Sequence, residues 1–281
     1  MNAACLCGDV RIAISGKVGP LVYCHCRRCQ KASGTAFSAN VDVRRTYWTF
    51  VAGEALVREL PSMPGVFRAF CLRCGSPLYS RRDTNPDVLR LRLGLLEADP
   101  ERRSLAQCWV RSKAPWFDLT DDLPQYSEGP EGPKETGSRQ YGEPGTREPM
   151  LRGSCLCGTV RYEVRGTPLG MYYCHCGTCQ KASGSSFATN IIVAATDLAV
   201  VSGRKQLTGY ESSPHKRRYF CSGCGSPIYS HAEKTRDVVS VRCGTLDDDP
   251  GLRPTEHIFV ASKTPWYQIT DDLPQRPAGF V

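Results

Sequence analysis

No stretch of the 281-residue chain approaches the ~20 consecutive apolar residues that a membrane-spanning helix needs. Nor does the N-terminus resemble a secretory leader: Met1-Asn2-Ala3-Ala4 runs straight into Cys5 and Cys7, without a charged region or an apolar stretch. A cytoplasmic protein with no membrane contact is the expectation. Long segments of helical period are also missing, which argues against a helical bundle. There is no long basic extension of the kind that tracks nucleic acid. What remains is a chain with 41% hydrophobic residues, enough for ordinary folded domains.

Cysteine is the residue present in excess, at 16 positions. In a reducing compartment, C-x-C and C-x-x-C clusters point to metal thiolates rather than a disulfide framework. Neighbouring C-x-C sulfurs are poorly placed for a disulfide but natural neighbours on one ion.

The cysteines recur with the rest of the chain. Cys5-Leu6-Cys7-Gly8 returns as Cys155-Leu156-Cys157-Gly158, an offset of 150 residues. Tyr23-Cys24-His25-Cys26 returns as Tyr173-Cys174-His175-Cys176 at the same offset, and Gln30 to Gly34 as Gln180 to Gly184. Cys71 and Cys74 return as Cys221 and Cys224, each pair followed by Gly-Ser-Pro; Trp116 returns as Trp266 and Thr120 to Gln125 as Thr270 to Gln275. Such constancy marks a tandem duplication. Between the copies, Ser127 to Pro149 is rich in Gly, Pro, Glu and Arg, a composition that cannot bury a core. Two domains are therefore expected, 1–126 and 151–281, with a flexible linker over 127–150.

Within each copy the apolar residues alternate: Val10, Ile12, Ile14, and again Val160, Tyr162, Val164. Further strands are predicted at Phe37–Val43, Val88–Leu93 and Trp109–Ser112, with equivalents at Phe187–Val193, Val238–Cys243 and Phe259–Ser262. Small all-β domains pinned by metal fit this pattern.

Seven repeated cysteines per copy divide into four and three. A closed tetrahedral zinc site takes four ligands, and a site with an open position takes three from the protein. Cys24, Cys26 and Cys29 lie within one short loop, so they suit a single ion. Cys5 and Cys7 are far in sequence from Cys71 and Cys74, and one ion holding all four would close the domain like a clasp. The second copy supplies Cys155, Cys157, Cys221 and Cys224 for the clasp, and Cys174, Cys176 and Cys179 for the three-cysteine site. Four Zn²⁺ per chain are expected. Cys108 and Cys243 face Ile258 and Leu93 in the repeat and read as buried cysteines, not ligands. His25 and His175 each sit between two ligands. Either could complete a closed site of three cysteines and one histidine, or could lie behind the ligands and face substrate.

The metal sites also change the charge. Four-cysteine and three-cysteine zinc sites, two of each, carry about −6 together and reduce the formal net charge of +8 to about +2. Arg27, Arg28, Arg44 and Arg45 then read as local counter-charges, and no nucleic-acid partner is expected.

The succession C-x-C-G, C-H-C-x-x-C-Q-K-x-S-G, C-x-x-C-G-S-P, K-x-P-W and D-D-L-P-Q resembles the glutathione-dependent formaldehyde-activating enzyme family, which includes the domain of centromere protein V. The resemblance covers both copies and leaves out the linker. It implies a β-tent fold with one four-cysteine and one three-cysteine zinc in each of two tandem domains. It further implies carbon–sulfur lyase chemistry on a thiol adduct, with glutathione or a related small thiol as substrate. A three-thiolate zinc is a soft Lewis acid that suits sulfur better than water. For an anionic thiol, Arg27, Lys31, Lys181 and the backbone at Ser33, Gly34, Ser183 and Gly184 are candidate carboxylate contacts, the alternative being a tight turn with a solvated lysine. The catalytic candidates are His25, His175 and His257. The first copy carries Gln107 where the second has His257, so the second is expected to carry most of the turnover, even by itself. A non-catalytic zinc module for protein or chromatin contact is the other functional class.

Overall fold

The computed structural model describes residues 1–130, 132–135 and 150–280. The chain is mostly β, with 42% strand and 15% helix, in two similar sheet domains. No described helix is long and apolar enough to cross a membrane.

In each copy a three-stranded antiparallel sheet stands beside a larger one. The small sheet of the first copy runs Asn2–Ala4, Arg11–Ile14, Trp48–Ala52, and that of the second Leu151–Ser154, Arg161–Val164, Leu198–Ser202. The alternation of Ile12 and Ile14, or Tyr162 and Val164, turns those side chains into the core, as period-2 burial predicts. The large sheet of the first copy places, in spatial order, Gln125–Tyr126, Ser104–Cys108, Leu21–Cys24, Ser38–Arg44, Asn85–Arg92, Pro77–Arg82, Val66–Cys71 and Val57–Met63. The second copy repeats this order from His257–Ile258 to Leu207–Ser213. The predicted strands at Phe37–Val43 and Val88–Leu93 therefore appear with shifted ends. Those predicted at Trp109–Ser112 and Phe259–Ser262 do not. Trp109 (φ 61°) and Phe259 (φ 59°) are left-handed, which ends the strand and starts a single 3₁₀ turn at Val110 and Val260.

Two helices of seven residues, α1 (Arg27–Ser33) and α2 (Gly177–Ser183), were not legible as periodic segments. Each follows the C-x-C pair, starts on Cys26 or Cys176 as N-cap, and stops at Gly34 or Gly184 in the left-handed conformation.

The two copies share one hydrophobic core. Phe37 meets its counterpart Phe187 edge-on at 5.3 Å between centroids, and Phe117 meets Tyr173 at 6.2 Å. Thr120 and Thr270, also counterparts, are joined hydroxyl to hydroxyl at 2.5 Å. Contacts between equivalent residues are the mark of a two-fold interface, here formed within one chain. Close approach is enforced at Gly94 and Gly244: a Cβ on Gly94 would strike the Gln180 carbonyl, and one on Gly244 the backbone of Gln30 and Thr35.

The expected linker, 127–150, lies outside the described residues at 131 and 136–149. Its first part is attached to the first copy: Ser127 is buried and donates from its amide to Pro133, and Glu135 pairs with Arg111 at 2.9 Å.

Candidate functional site

All sixteen cysteines are unpaired thiols, and fourteen of them gather into four groups whose sulfurs lie within 4.8 Å of one another. The groups are Cys5, Cys7, Cys71, Cys74; Cys155, Cys157, Cys221, Cys224; Cys24, Cys26, Cys29; and Cys174, Cys176, Cys179. This is the division counted from the sequence. Each clasp is built from two turns. Gly8 and Gly75, both at positive φ, bring their amides back to the carbonyls of Cys5 and Cys71. Val10 N–H donates to Cys5 Sγ, and the Ser76 hydroxyl, itself accepting from Leu6 N–H, lies 3.4 Å from Cys74 Sγ. Sulfur pairs are 3.3 Å (Cys5–Cys7) and 3.8 Å (Cys7–Cys71) apart. A tetrahedron with metal–sulfur bonds of about 2.3 Å has edges of roughly 3.8 Å. The donor set and its spacing thus fit a tetrahedral ion. Hydrogen bonds from Cys5, Cys7 and Cys71 hold Cys74 far below an ordinary thiol, while Cys7 and Cys71 are pushed up. A dication relieves that competition for protons by taking every sulfur as thiolate.

The three-cysteine groups are assembled from a strand end and a helix start. Cys24 closes Leu21–Cys24, Cys26 caps α1 and accepts from the Cys29 amide at 3.4 Å, and Cys29 lies in the first turn. Neither histidine joins these groups. The parallel pairing of Leu21–Cys24 with Ser104–Cys108 sets Gln107 beside Tyr23, and His25 Nε2 turns to Gln107 Oε1 at 2.6 Å. Gln107 Nε2 then donates to Asp121 at 2.7 Å. In the second copy the equivalent pairing sets His257 beside Tyr173; His175 Nε2 lies 2.8 Å from His257 Nδ1, whose Nε2 is 3.0 Å from Asp271. The carboxylate can only accept, so His257 Nε2 carries the proton and His175 Nε2 donates inward. The Gln107 amide imposes the same polarity on His25. In both copies the ring nitrogen left bare is Nδ1, buried and without a hydrogen-bond partner among the described residues.

Burial holds His25 down to about 4 and His175 to about 3. The carboxylates diverge. Burial raises Asp121, opposed by bonds from Leu123 N–H and Gln107. Asp271 is also pushed up by burial, but hydrogen bonds from His257 and the Leu273 amide leave it below the usual range.

The expected carboxylate contacts are committed elsewhere. Lys31 Nζ reaches across the seam to Asp247 (2.5 Å) and to the hydroxyl (2.5 Å) and carbonyl (3.0 Å) of Ser154. Arg27 joins the same Asp247 at 3.4 Å. Ser33 is buried and donates to the Cys29 carbonyl, and the Gly34 amide caps α1. Ser183 and Gly184 are buried likewise. Lys181 differs: it faces Glu97 at 3.4 Å and lines an open cavity of about 500 Å³ beside Cys5 and Cys7. Cys108 and Cys243 are buried outside the metal groups, and burial pushes the Cys108 thiol up to about 11.

Sequence reasoning assigned no role to Asp121, Asp271, the buried Arg92, Arg218 and Arg242, or the half-buried Arg68. Arg68 Nη2 lies 3.4 Å from Cys29 Sγ and Arg218 Nη2 3.7 Å from Cys179 Sγ. Arg92 and Arg242, each 2% exposed, add their charge to the same two sites. The signal was available: each of the three pairs recurs at the repeat offset, and Arg68 interrupts the apolar run Phe67–Phe70.

The profile of the family described as glutathione-dependent formaldehyde-activating enzyme matches residues 1–112 and 150–262. A Halomonas elongata protein, whose name assigns it provisionally to that activity, is 32% identical over 129 residues, 43% of this chain and 81% of that protein. A Fusarium vanettenii protein named in the same way is 27% identical over 84 residues, 30% of this chain and 45% of its own. A crystal structure from Rhodobacter sphaeroides is similar at 26% identity over 37% of this chain and 97% of that one, with a TM-score of 0.31. With both matched segments carrying both cysteine groups, the chain belongs to the glutathione-dependent formaldehyde-activating enzyme family, as two tandem copies.

Proposed function

We propose that the protein is a zinc-dependent carbon–sulfur lyase that makes or breaks the adduct of a small thiol, of the glutathione class, with an aldehyde. The observation that carries this reading is the three-cysteine group with no fourth protein ligand among the described residues, since His25 and His175 turn away to Gln107 and His257. Zinc held there by three thiolates would supply a soft Lewis-acid position for a substrate sulfur. The clasp groups would hold the remaining two ions for structure.

In adduct formation the thiol loses its proton, sulfur bonds to the carbonyl carbon, and the carbonyl oxygen takes a proton; cleavage reverses these steps. The chain's own proton acceptor beside the ligands is His175 Nδ1, bare because Nε2 is held by His257. Asp271 steadies His257 and, through it, any positive charge that reaches the imidazole pair. His25 presents the same bare nitrogen, but Gln107 cannot share a proton. The unpaired thiols fit a reducing, cytoplasmic setting.

The test is exchange NMR between glutathione and its hydroxymethyl adduct on metal-replete full chain. Acceleration lost in the Cys29→Ser, Cys179→Ser double variant supports the proposal. Exchange at the uncatalysed rate with all four sites loaded would leave a non-catalytic module.

A further inference from the structure

Two buried guanidinium groups stand at each three-cysteine site. In the first copy Arg68 donates to Cys29 Sγ, and Arg92 is held by Asn40 and by Ser38, the strand partner of Cys24. In the second, Arg218 Nη2 lies 3.7 Å from Cys179 Sγ, and buried Arg242 pairs with Asn190, two residues along the strand from Ala188, the partner of Cys174. Burying a cation without a matching anion costs several kcal/mol, so these pairs imply a negative site. Three thiolates around a dication sum to −1, and two guanidinium groups make the whole +1. One anion as fourth ligand brings the sum to zero; a neutral ligand leaves an uncompensated charge in a poorly solvated place. The donors tell the same story. Arg68 Nε and Nη1 and Arg242 Nη1 are buried with no partner among the described residues. Arg218 Nε, in contrast, is held by the Ser212 hydroxyl at 3.0 Å.

We infer that the arginine pairs Arg68/Arg92 and Arg218/Arg242 select an anionic fourth ligand, a thiolate or another small monoanion, at each three-cysteine site. This rests on the proposed metal but not on the proposed reaction. The arginines act through charge and act as positioning residues: they favour the deprotonated sulfur of a bound thiol over neutral donors. The first copy, with two free Arg68 donors, holds an anion more tightly than the second.

The measurement uses the full chain loaded with Co²⁺, whose visible ligand-field bands report the fourth ligand; the clasps, already four-coordinate, stay constant. Azide, 2-mercaptoethanol and imidazole are the probes. In the unaltered chain, azide and the thiol are expected to bind more tightly than imidazole. Arg68→Met with Arg218→Met is expected to weaken azide and thiol by about ten-fold or more while leaving imidazole unchanged. Arg68→Lys with Arg218→Lys, which retains the charge, should keep the order of affinities. Imidazole binding more tightly than azide to the unaltered chain would overturn the inference without any variant having to fold. So would Met variants with unaltered azide affinity. If the anion preference appears but glutathione exchange is not accelerated, this inference stands and the proposed reaction falls.

Discussion

Each copy places its seven grouped sulfurs in the same arrangement, yet the copies differ one residue behind them. The first runs His25–Gln107–Asp121 and the second His175–His257–Asp271. The amide of Gln107 does part of the work of an imidazole: it accepts from the inner histidine, donates to the carboxylate, and so fixes the same tautomer. It cannot carry a proton. All seven candidate ligands recur in both copies, whereas the residue behind the inner histidine differs, Gln107 in one and His257 in the other. The seam shows a second divergence. Lys31 is locked by Asp247 and Ser154, but Lys181 meets only Glu97 among the described residues, with Ala4 in the place of Ser154 and Gly177 in the place of Arg27.

The strongest challenge to the likeness of the copies is removal of a clasp. Structural zinc supplies folding free energy on the order of 10 kcal/mol in small modules, so Cys71→Ser or Cys221→Ser should each unfold its domain. Because Phe37, Phe187, Phe117 and Tyr173 belong to one core, the loss is expected to spread. Calorimetry of either variant should show no surviving native transition. A second copy that still melts cooperatively would mean the copies are independent. The shared core also alters the expectation that residues 151–281 would work by themselves, since separation would strip the cover from Phe187, Tyr173 and Tyr267.

Next in size is the relay. General acid–base help is typically worth about 10²–10⁴-fold, so His257→Gln should lower exchange within that range, while Gln107→His should raise the contribution of the first copy. Cys29→Ser and Cys179→Ser in the full chain apportion turnover between the copies, with the greater loss expected from Cys179→Ser. Equal losses would show that the Gln107 arrangement suffices.

A smaller effect concerns acid. His25 and His175 are held near 4 and 3 by burial, below the unfolded value of about 6.5. The unfolded chain therefore takes up protons first as pH falls. Stability is full above about 6.5 and declines toward 4 for His25 and 3 for His175, by at most about 1.4 kcal/mol per pH unit each. Urea unfolding of the metal-loaded chain between pH 8 and 5 should show a shallower decline in His25→Gln and in His175→Gln. Slopes identical to the parent in both variants would mean the imidazoles are not buried neutral.

The smallest expected effect separates the two lysines. Lys31→Met removes a seam bond to Asp247 and two to Ser154, and should cost about 1–3 kcal/mol. Lys181→Met should cost no more than about 1 kcal/mol, as for a surface pair. Chemical denaturation decides it; equal costs would remove the distinction between the seams.

The sequence determined the cysteine groups suited to a metal, because a sulfur cluster depends on residue type and short spacing, and the duplication printed each spacing twice. Alternating apolar residues likewise fixed strands such as Arg11–Ile14. It could not show that Lys31 and Gly34 are turned into a seam, since a lysine after a metal loop reads the same whether it faces substrate or a second domain. Nor could it show that residue 107 lies against residue 25, or 257 against 175, for parallel pairing joins segments far apart along the chain. The four arginines at these sites make the same point. An arginine in an apolar strand is legible as an oddity, but its partner is a thiolate on another element, and only the tertiary structure decides which charges share one poorly solvated place.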